Sequence, residues 1–297
     1  MNSEMAYLLG MVCGNGEISR GNSRTVVAIE IPHKKLRTES CGNVAIYVKA
    51  SIADIRTVLE PLIGTGLGFT QTKNVTTLSF EKENGDYLMR ELLRYVGRAS
   101  SHENVSLCPE IFSFSRDEKL QFLKGFADVT GYIRRSNYCF KEYMHRVYLE
   151  IPRNWELVAQ ICNLLASVDI PVQNIDWAHP NMRDGNLKKY RAGNTGFWKK
   201  EHQIKIWANE FLPVGFAVLH KTEALAALSD ELKRGLEESG RTPADVTHRY
   251  YWETRKAGKK KPPHPAENDA FLPPGIRGRH YDSWKEIARD LGYPEKR

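Results

Sequence analysis

Alternating hydrophobic and polar positions mark two similar segments of the chain. Within Val27–Ile31 and Val147–Ile151 every second residue is Val, Ile or Leu, and Glu30 and Glu150 occupy matching positions between them. A period of two is typical of a strand that packs one face on a core and exposes the other. We therefore predict antiparallel sheets, each with one buried face and one outward face.

The matching strands belong to a longer internal repeat. Tyr7–Ile18 matches Phe122–Ile133 at an offset of 115, and Val27–Pro32 matches Val147–Pro152 at an offset of 120. Each half is predicted to run helix, two strands, helix, two strands, helix. After the first hairpin of each half, the predicted helices are 52–63, 87–96, 155–167 and 221–236, and the predicted strands are 68–73, 76–80, 171–177 and 202–207.

The first helix of each copy carries a glycine in its middle, Gly10 in one and Gly125 in the other. Such a glycine destabilises a helix by roughly 0.5–1 kcal/mol relative to alanine, so we expect that the two helices approach each other closely there. Gly16 and Gly131 stand where these helices should end, which is the usual place for a helix-terminating glycine.

The repeat predicts an α+β fold of tandem αββαββα repeats, which form a saddle of two antiparallel sheets about a pseudo-twofold axis. The expected division is 1–113 for the first repeat, 114–240 for the second and 241–297 for a C-terminal extension. This extension is basic and proline-rich between Arg255 and Pro265, and a short helix is predicted near Trp284. Since the two copies lie in one chain, we expect a monomer.

Charge indicates a polyanionic partner. The chain carries 43 Lys and Arg against 36 Asp and Glu, and the excess is concentrated in the extension, which contains 13 basic and 8 acidic residues. Nucleic acid is the partner that such a basic stretch suggests, although a solubilising tail has the same composition. No apolar run is long enough to span a membrane. Five cysteines without a CxxC pair indicate a reducing compartment, and with no secretory signal in the first residues we expect the cytoplasm.

The segments Leu8–Gly16 and Leu123–Gly131 resemble two copies of the LAGLIDADG motif, and the order of elements after each is similar to that of single-chain LAGLIDADG homing endonucleases. The resemblance covers roughly residues 5–236. It implies that the outward sheet faces lie in the major groove of duplex DNA. It also implies that an Asp at the eighth motif position of each copy holds divalent metal over the scissile phosphates.

This chain departs from the motif at both metal positions, because Asn15 and Thr130 stand where the family has Asp. Mg²⁺ prefers charged oxygen ligands, and it must generate the nucleophile and stabilise the leaving oxygen. We therefore expect absent or weak cleavage, no confident metal site and no certain cofactor, with Mg²⁺ needed only if cleavage is retained. Glu17 is a candidate replacement ligand. Lys221 resembles a basic residue that lines family active sites, although a solvated helix start explains it as well.

The resemblance places a further set of side chains on the surface that would face DNA. Positions two, four, six and eight after the metal position, together with the outward faces of the later strands, supply these residues. A long basic and aromatic loop at 183–200 would contact the DNA backbone. The DNA-contact candidates are Ser19, Arg24, Arg134, Ser136, Tyr138, Arg146, Tyr148, Gln203 and Lys205 on the strands, and Lys188, Lys189 and Arg191 in the loop.

Three functions fit this sequence. The first is a duplex DNA-binding protein that has lost cleavage. The second is an active Mg²⁺-dependent endonuclease, homing or restriction-like, that uses Glu17 or backbone oxygens. The third is an RNA-binding splicing factor, a role similar to that of family maturases. Cleavage of plasmid DNA separates the first two, and competition between duplex DNA and structured RNA separates the third.

Overall fold

In a computed structural model, residues 2–135, 145–176 and 201–240 are described, apart from Ser40, Arg98, Arg153 and Ser239. Two series of elements follow one another along the chain. The first repeat contains α1 (Ser3–Asn15), β1 (Gly16–Arg20), β2 (Arg24–Pro32), α2 (His33–Leu36), α3 (Val44–Ile63), β3 (Gly68–Gln71), β4 (Val75–Glu83) and α4 (Tyr87–Val96). The second repeat contains α5 (Arg116–Thr130), β5 (Gly131–Arg134), β6 (Arg146–Pro152), α6 (Trp155–Ala166), β7 (Asn174–Asp176), β8 (Glu201–Trp207), α7 (Ala208–Phe211) and α8 (Leu219–Glu238).

The two motif helices begin at side chains that satisfy their first backbone donors. Asn2 accepts a hydrogen bond from the Met5 amide at the start of α1. At the start of α5, Ser115 and Glu118 form a reciprocal capping box. Every residue of α1 from Met5 to Gly14 is buried, which is expected of a helix enclosed on all sides.

Helices α1 and α5 pack against each other through the two central glycines, as predicted. A Cβ atom added to Gly10 would lie 1.9 Å from the carbonyl oxygen of Phe122, and one added to Gly125 would lie 2.0 Å from the carbonyl oxygen of Tyr7. Real Cβ atoms do not approach oxygen so closely, so only glycine permits this contact. The two approaches mirror each other, because Tyr7 and Phe122 occupy the same place in their repeats.

Gly16 and Gly131 follow the last residue of each motif helix, but the reason for glycine differs from the one expected. Their φ angles are −99° and −98°, so neither adopts the left-handed conformation that favours glycine. The chain instead turns directly from helix into strand. A Cβ on Gly16 would lie 2.7 Å from the carbonyl oxygen of Val12, and one on Gly131 would lie 2.6 Å from that of Ala127.

Each repeat forms one antiparallel sheet of four strands, in the orders β1-β2-β4-β3 and β5-β6-β8-β7. Val27, Ile29 and Ile31 of β2 are fully buried, and so are their counterparts in β6. The buried side chains of both repeats form one continuous hydrophobic core. The predicted α+β class with two αββαββα repeats is therefore confirmed. No helix in the described part of the chain is long and apolar enough to cross a membrane.

Some predicted element bounds were wrong. Helix α3 begins at Val44, eight residues before the predicted start, because Asn43 caps it by accepting a hydrogen bond from the Ala45 amide. Strand β7 is limited to Asn174–Asp176, and residues 171–173 precede it without strand pairing. The C-terminal extension lies outside the described residues, so its predicted helix stays a prediction.

Candidate nucleic-acid interface

The two motif positions lie side by side at the ends of the paired helices. Asn15 is the last residue of α1 and Thr130 is the last residue of α5. A Cβ added to Gly14 would lie 2.7 Å from Cγ2 of Val129 and 3.1 Å from Cγ2 of Thr130, so the helix ends are in direct contact. The fold thus brings together the two residues that replace the acidic pair of the motif.

Both motif side chains are engaged in hydrogen bonds within the protein. The Asn15 amide donates to the carbonyl oxygen of Glu30 at 2.7 Å, which ties the end of α1 to β2. The Thr130 hydroxyl donates to the carbonyl oxygen of Phe126 at 2.6 Å, one turn back in its own helix. Thr130 is also only 3% exposed. Neither residue supplies a charged oxygen at the helix ends.

Two carboxylates stand beside these positions, and our sequence reasoning did not select them. Gly16 pairs with Ile29 and Gly131 pairs with Leu149, so the next residues, Glu30 and Glu150, lie level with Asn15 and Thr130. Each of them begins a repeated Glu-Ile-Pro segment, and this repetition is the feature of the sequence that could have identified them. Glu17, the predicted replacement ligand, is exposed on β1 opposite Ala28.

Glu150 is held in an ion-pair network that the first repeat supplies. The ammonium of Lys35, on α2, forms a direct ion pair with Glu150, and the Lys34 ammonium lies 3.6 Å from the same carboxylate. Gln203 donates to Glu150 at 2.8 Å. Burial alone would raise the pKa of Glu150, but the ammonium groups of Lys35 and Lys34 and the hydrogen bond from Gln203 together hold this pKa below its ordinary value. Burial also lowers the pKa of Lys35 to about 8, although Glu150 acts in the opposite direction.

Lys221 is enclosed, so the solvated helix start that the sequence offered for it is wrong. Its side chain is buried inside the protein, near the first turn of α8. The ammonium donates to the carbonyl oxygen of Gly131 at 3.1 Å and lies 3.4 Å from that of Ala127. It therefore places a cation at the C-terminus of α5, where the helix dipole favours one. The sequence does not show that α5 ends against α8, and this contact encloses Lys221.

Asp128, the sixth residue of the second motif, is the acidic partner of Lys221. The carboxylate lies 3.7 Å from the Lys221 ammonium and accepts hydrogen bonds from the Tyr7 hydroxyl at 2.9 Å and the Ala217 amide at 2.8 Å. Burial raises the pKa of Asp128, and Lys221 opposes this effect. Burial lowers the pKa of Lys221 to about 8, and Asp128 opposes that in turn. We call Tyr7, Asp128 and Lys221 the buried polar triad.

The outward face of the second sheet gathers five of the seven predicted DNA-contact residues that the structure describes. Tyr132 lies opposite Tyr148, which lies opposite Lys205. Arg134 lies opposite Arg146 in the neighbouring row, and Arg146 lies opposite Trp207. The cation candidates on these strands therefore share one face and two adjacent rows. We call this surface, with Gln203 and Glu150, the second outer face.

Cations lie over aromatic rings on the second outer face. The Arg146 guanidinium is 4.5 Å from the Trp207 ring centroid, and the Lys205 ammonium is 5.8 Å from that of Tyr148. The Lys35 ammonium is 4.9 Å from the ring of Tyr132, which stacks on Tyr148 with centroids 5.1 Å apart. These distances are within or near the range in which a ring attracts a cation.

The expectation that the predicted contact residues of this face are exposed is wrong for two of them. Tyr148 is 7% exposed and Gln203 is 5% exposed. Tyr148 is covered on its stacking side by Tyr132, and Gln203 is held by Glu150 and by the Tyr132 hydroxyl at 3.3 Å. Arg134 is exposed, while Arg146 and Lys205 are half-buried. The basic side chains are therefore the outermost groups of this face.

On the first sheet, the two predicted contact residues are both exposed. Ser19 lies on β1 opposite Val26, and Arg24 begins β2. The Arg24 guanidinium lies 3.7 Å from Glu81 on β4. The remaining candidates, Ser136, Tyr138, Lys188, Lys189 and Arg191, lie outside the described residues. Among the residues that are described, no group of three or more His, Cys, Asp or Glu side chains is placed to hold a metal ion.

No family model and no curated protein matches the sequence. Similar solved structures include a variant of the homing endonuclease I-DmoI in complex with its target DNA in the presence of Mn, with 15% identity over 71% of this chain and 90% of that chain, at a TM-score of 0.39. The LAGLIDADG homing endonuclease I-GzeII in complex with its DNA target is 8% identical over 87% of this chain and 100% of that one, at a TM-score of 0.42. Full-length DUF199/WhiA from Thermatoga maritima is 11% identical over 98% of this chain and 85% of that one, also at 0.42.

Proposed function

We propose that this chain is a sequence-reading, duplex DNA-binding protein that does not cleave DNA. The observation that carries the proposal is the second outer face, where Arg134, Arg146 and Lys205 are displayed in two adjacent rows of one antiparallel sheet. Among the described residues, no carboxylate lies within ion-pair distance of Arg134 or Arg146. We further propose that the chain works as a monomer, because its motif helices are already paired within the chain. We also propose that it works in the cytoplasm, as its cysteines and the sequence of its first residues suggest.

The pairing of two arginines is a reason to expect an anionic partner. Arg134 and Arg146 are directly opposite each other, and like charges in that position destabilise a sheet. Their repulsion is relieved when a phosphate or a base edge lies between them. A two-stranded ribbon fits the major groove, and there arginine can bind guanine through two hydrogen bonds. Phosphate contacts from the same side chains would fix the register on the duplex.

The residues at the motif positions do not fit a divalent metal ion. The Asn15 amide and the Thr130 hydroxyl are neutral and are bound to backbone oxygens. Of the neighbouring carboxylates, Glu150 is already neutralised by Lys35. Since Mg²⁺ requires charged oxygen ligands and open positions for water and phosphate, we propose no step through a metal. Glu17 is exposed on the first sheet, so the endonuclease alternative keeps Glu17 and backbone oxygens as its candidate ligands.

Binding is tested with the full chain and a random-sequence duplex, followed by fluorescence anisotropy at several salt concentrations. Arg134→Gln with Arg146→Gln should weaken binding by about tenfold or more and should reduce the slope of log affinity against log salt by about 2. Arg56→Gln with Arg94→Gln is the matched control, since these exposed arginines lie on α3 and α4 and pair with Glu60 and Glu110. If both double variants lost the same DNA affinity, the second outer face would not be the DNA-binding surface.

Cleavage is tested separately, with plasmid DNA and either Mg²⁺ or Mn²⁺. We expect no site-specific cutting by the parent chain, while Asn15→Asp combined with Thr130→Asp is the variant in which nicking would appear if the rest of the site is intact. Efficient cutting by the parent, abolished by EDTA and by Glu17→Gln, would establish the endonuclease alternative. Preference for structured RNA over duplex DNA in a competition assay would favour the splicing-factor alternative.

A further inference from the structure

We propose that the two repeats engage the duplex unequally, with the second outer face carrying the contact and the first repeat's outward face staying out of the major groove. This inference rests on the proposed DNA-binding function. It predicts a one-sided site of about one helical turn, ~10 bp, instead of two half-sites on either side of a centre.

The outward face of the first sheet is acidic. Its exposed carboxylates are Glu17 on β1, Glu30 on β2, and Glu81 and Glu83 on β4. On these four strands, all of them described, Arg24 is the one basic side chain on that face, and it lies beside Glu81. We call this surface the first outer face.

Equivalent positions of the two sheets carry opposite chemistry. The offsets of the repeat match Arg134 to Ser19 and Arg146 to Val26, and the strand registers match Lys205 to Ser79. Each of the three basic positions of the second outer face is thus neutral in the first. The aromatic positions beneath the cations differ too, because Tyr132 corresponds to Glu17 and Trp207 to Glu81.

Two lysines of the first repeat extend to the second outer face. Lys34 and Lys35 extend from α2, directly after β2, and they pair with Glu150 and Glu201 on the second sheet. The carboxylates of Glu150 and Glu201 are thereby neutralised. Glu30, which corresponds to Glu150, is exposed, and its backbone carbonyl accepts a hydrogen bond from the Asn15 amide. The contrast in charge between the faces is therefore larger than the strand sequences alone indicate.

An acidic surface of this kind is a poor fit to the major groove. The groove is about 12 Å wide, so a carboxylate inside it lies within roughly one Debye length of the phosphates on either side, about 8 Å at physiological salt. The repulsion is therefore only partly screened. A glutamate finds base donors there only at the amino groups of cytosine and adenine, and the four carboxylates would each need one. On the second outer face, by contrast, Glu150 and Glu201 already pair with Lys35 and Lys34.

The test uses the full chain to select duplexes from a library with 40 randomised base pairs, followed by hydroxyl-radical footprinting on a selected sequence. We expect one protected block of about one helical turn with base preference confined to it. Glu17→Gln, Glu81→Gln and Glu83→Gln together should keep the same block and base preference, with affinity unchanged or up to about threefold tighter. Arg134→Gln with Arg146→Gln should relax the base preference inside the block.

The outcomes separate this inference from the function on which it rests. Two protected blocks about a centre, or a changed base preference in the glutamine variant, would overturn the one-sided arrangement and leave DNA binding intact. Failure to retain any duplex at moderate salt would overturn both. A single block whose base preference survives the arginine substitutions would also overturn the inference, because the second outer face would then not be the reading surface.

Discussion

The two repeats of this chain share their interior and differ on their outward faces. Both bury an apolar helix against its copy through a glycine, and both bury the same alternating positions of β2 and β6. Outward, the first sheet presents glutamates, whereas the second presents arginine and lysine over aromatic rings. The comparison teaches that packing constrains the inner pattern of both copies equally, while each outer face is free to take up its own role.

A second difference lies inside the helix pair. Tyr7 and Asp128 meet across it with a hydrogen bond, while the equivalent positions in the opposite repeats are Phe122 and Cys13. One side of the pair therefore carries the buried polar triad and the other is apolar. Leaving one partner of a buried ion pair unmatched is strongly destabilising, so the two sides should respond differently to substitution.

The largest effect is expected where the repeats are alike. Gly10→Ala or Gly125→Ala should each destabilise the chain by at least about 4 kcal/mol, because the new methyl would overlap a carbonyl oxygen of the opposite helix. Gly85→Ala is the control, since a Cβ there meets nothing within 4 Å. Urea unfolding measures all three. Similar stabilities for Gly125→Ala and Gly85→Ala would contradict the close helix contact.

The buried polar triad predicts the next largest effect, and on one side only. Lys221→Met should cost about 3 kcal/mol, because Asp128 remains buried without its cation. Cys13→Ala, at the position equivalent to Asp128, should cost about 1 kcal/mol. Both variants are measured by the same unfolding experiment. Equal losses of stability would show that the buried polar triad contributes no more than the apolar contacts at the equivalent place in the first repeat.

The triad also predicts a pH dependence. The pKa of Lys221 is about 8 in the folded chain and its ordinary value is 10.5, so between these pH values the unfolded chain binds more protons. Stability contributed through this group therefore rises with pH in that window. From pH 7 to pH 9 the parent should gain about 1 kcal/mol relative to Lys221→Met. If the stability difference between the parent and Lys221→Met stayed constant or fell from pH 7 to pH 9, the pKa of Lys221 would not be lowered in the folded chain.

Among the pairs of equivalent residues in the two repeats, Glu150 and Glu30 are expected to show the smallest difference in stability on substitution. Glu150→Gln should cost about 2 kcal/mol, because it leaves the buried ammonium of Lys35 without its partner. Glu30→Gln, its exposed counterpart, should change stability by less than about 0.5 kcal/mol. The pKa of Glu150 is lowered, so its contribution is present above its ordinary pKa and is lost as the pH falls below it. Equal stabilities of the two variants at pH 7 would remove the ion-pair network from the account.

The sequence predicted the shared interior well because packing leaves periodic traces. The glycine spacing, the alternation in β2 and β6 and the repeat offsets all fixed the element order. Burial of single polar residues was not predictable in this way. Lys221 reads as a solvated helix start, and only the contact of α8 with the end of α5 shows that it is enclosed.

The candidate interface was predicted less completely than the fold. The outward parity of Arg134, Arg146 and Lys205 follows from strand alternation, whereas the burial of Tyr148 and Gln203 depends on neighbours from other elements. The pairing of Lys35 with Glu150 joins residues 115 apart, and no local pattern indicates it. Such long-range ion pairs are set by how the repeats dock, which the sequence does not display.

The most direct test of the central claim combines binding and integrity in one sample. The full chain is incubated with a labelled random-sequence duplex at moderate salt with Mg²⁺, and anisotropy is recorded before the same DNA is recovered and separated on a denaturing gel. We predict salt-sensitive binding with every recovered strand at full length. Shortened strands that disappear when EDTA is added, or no anisotropy change at any salt concentration, would contradict the account.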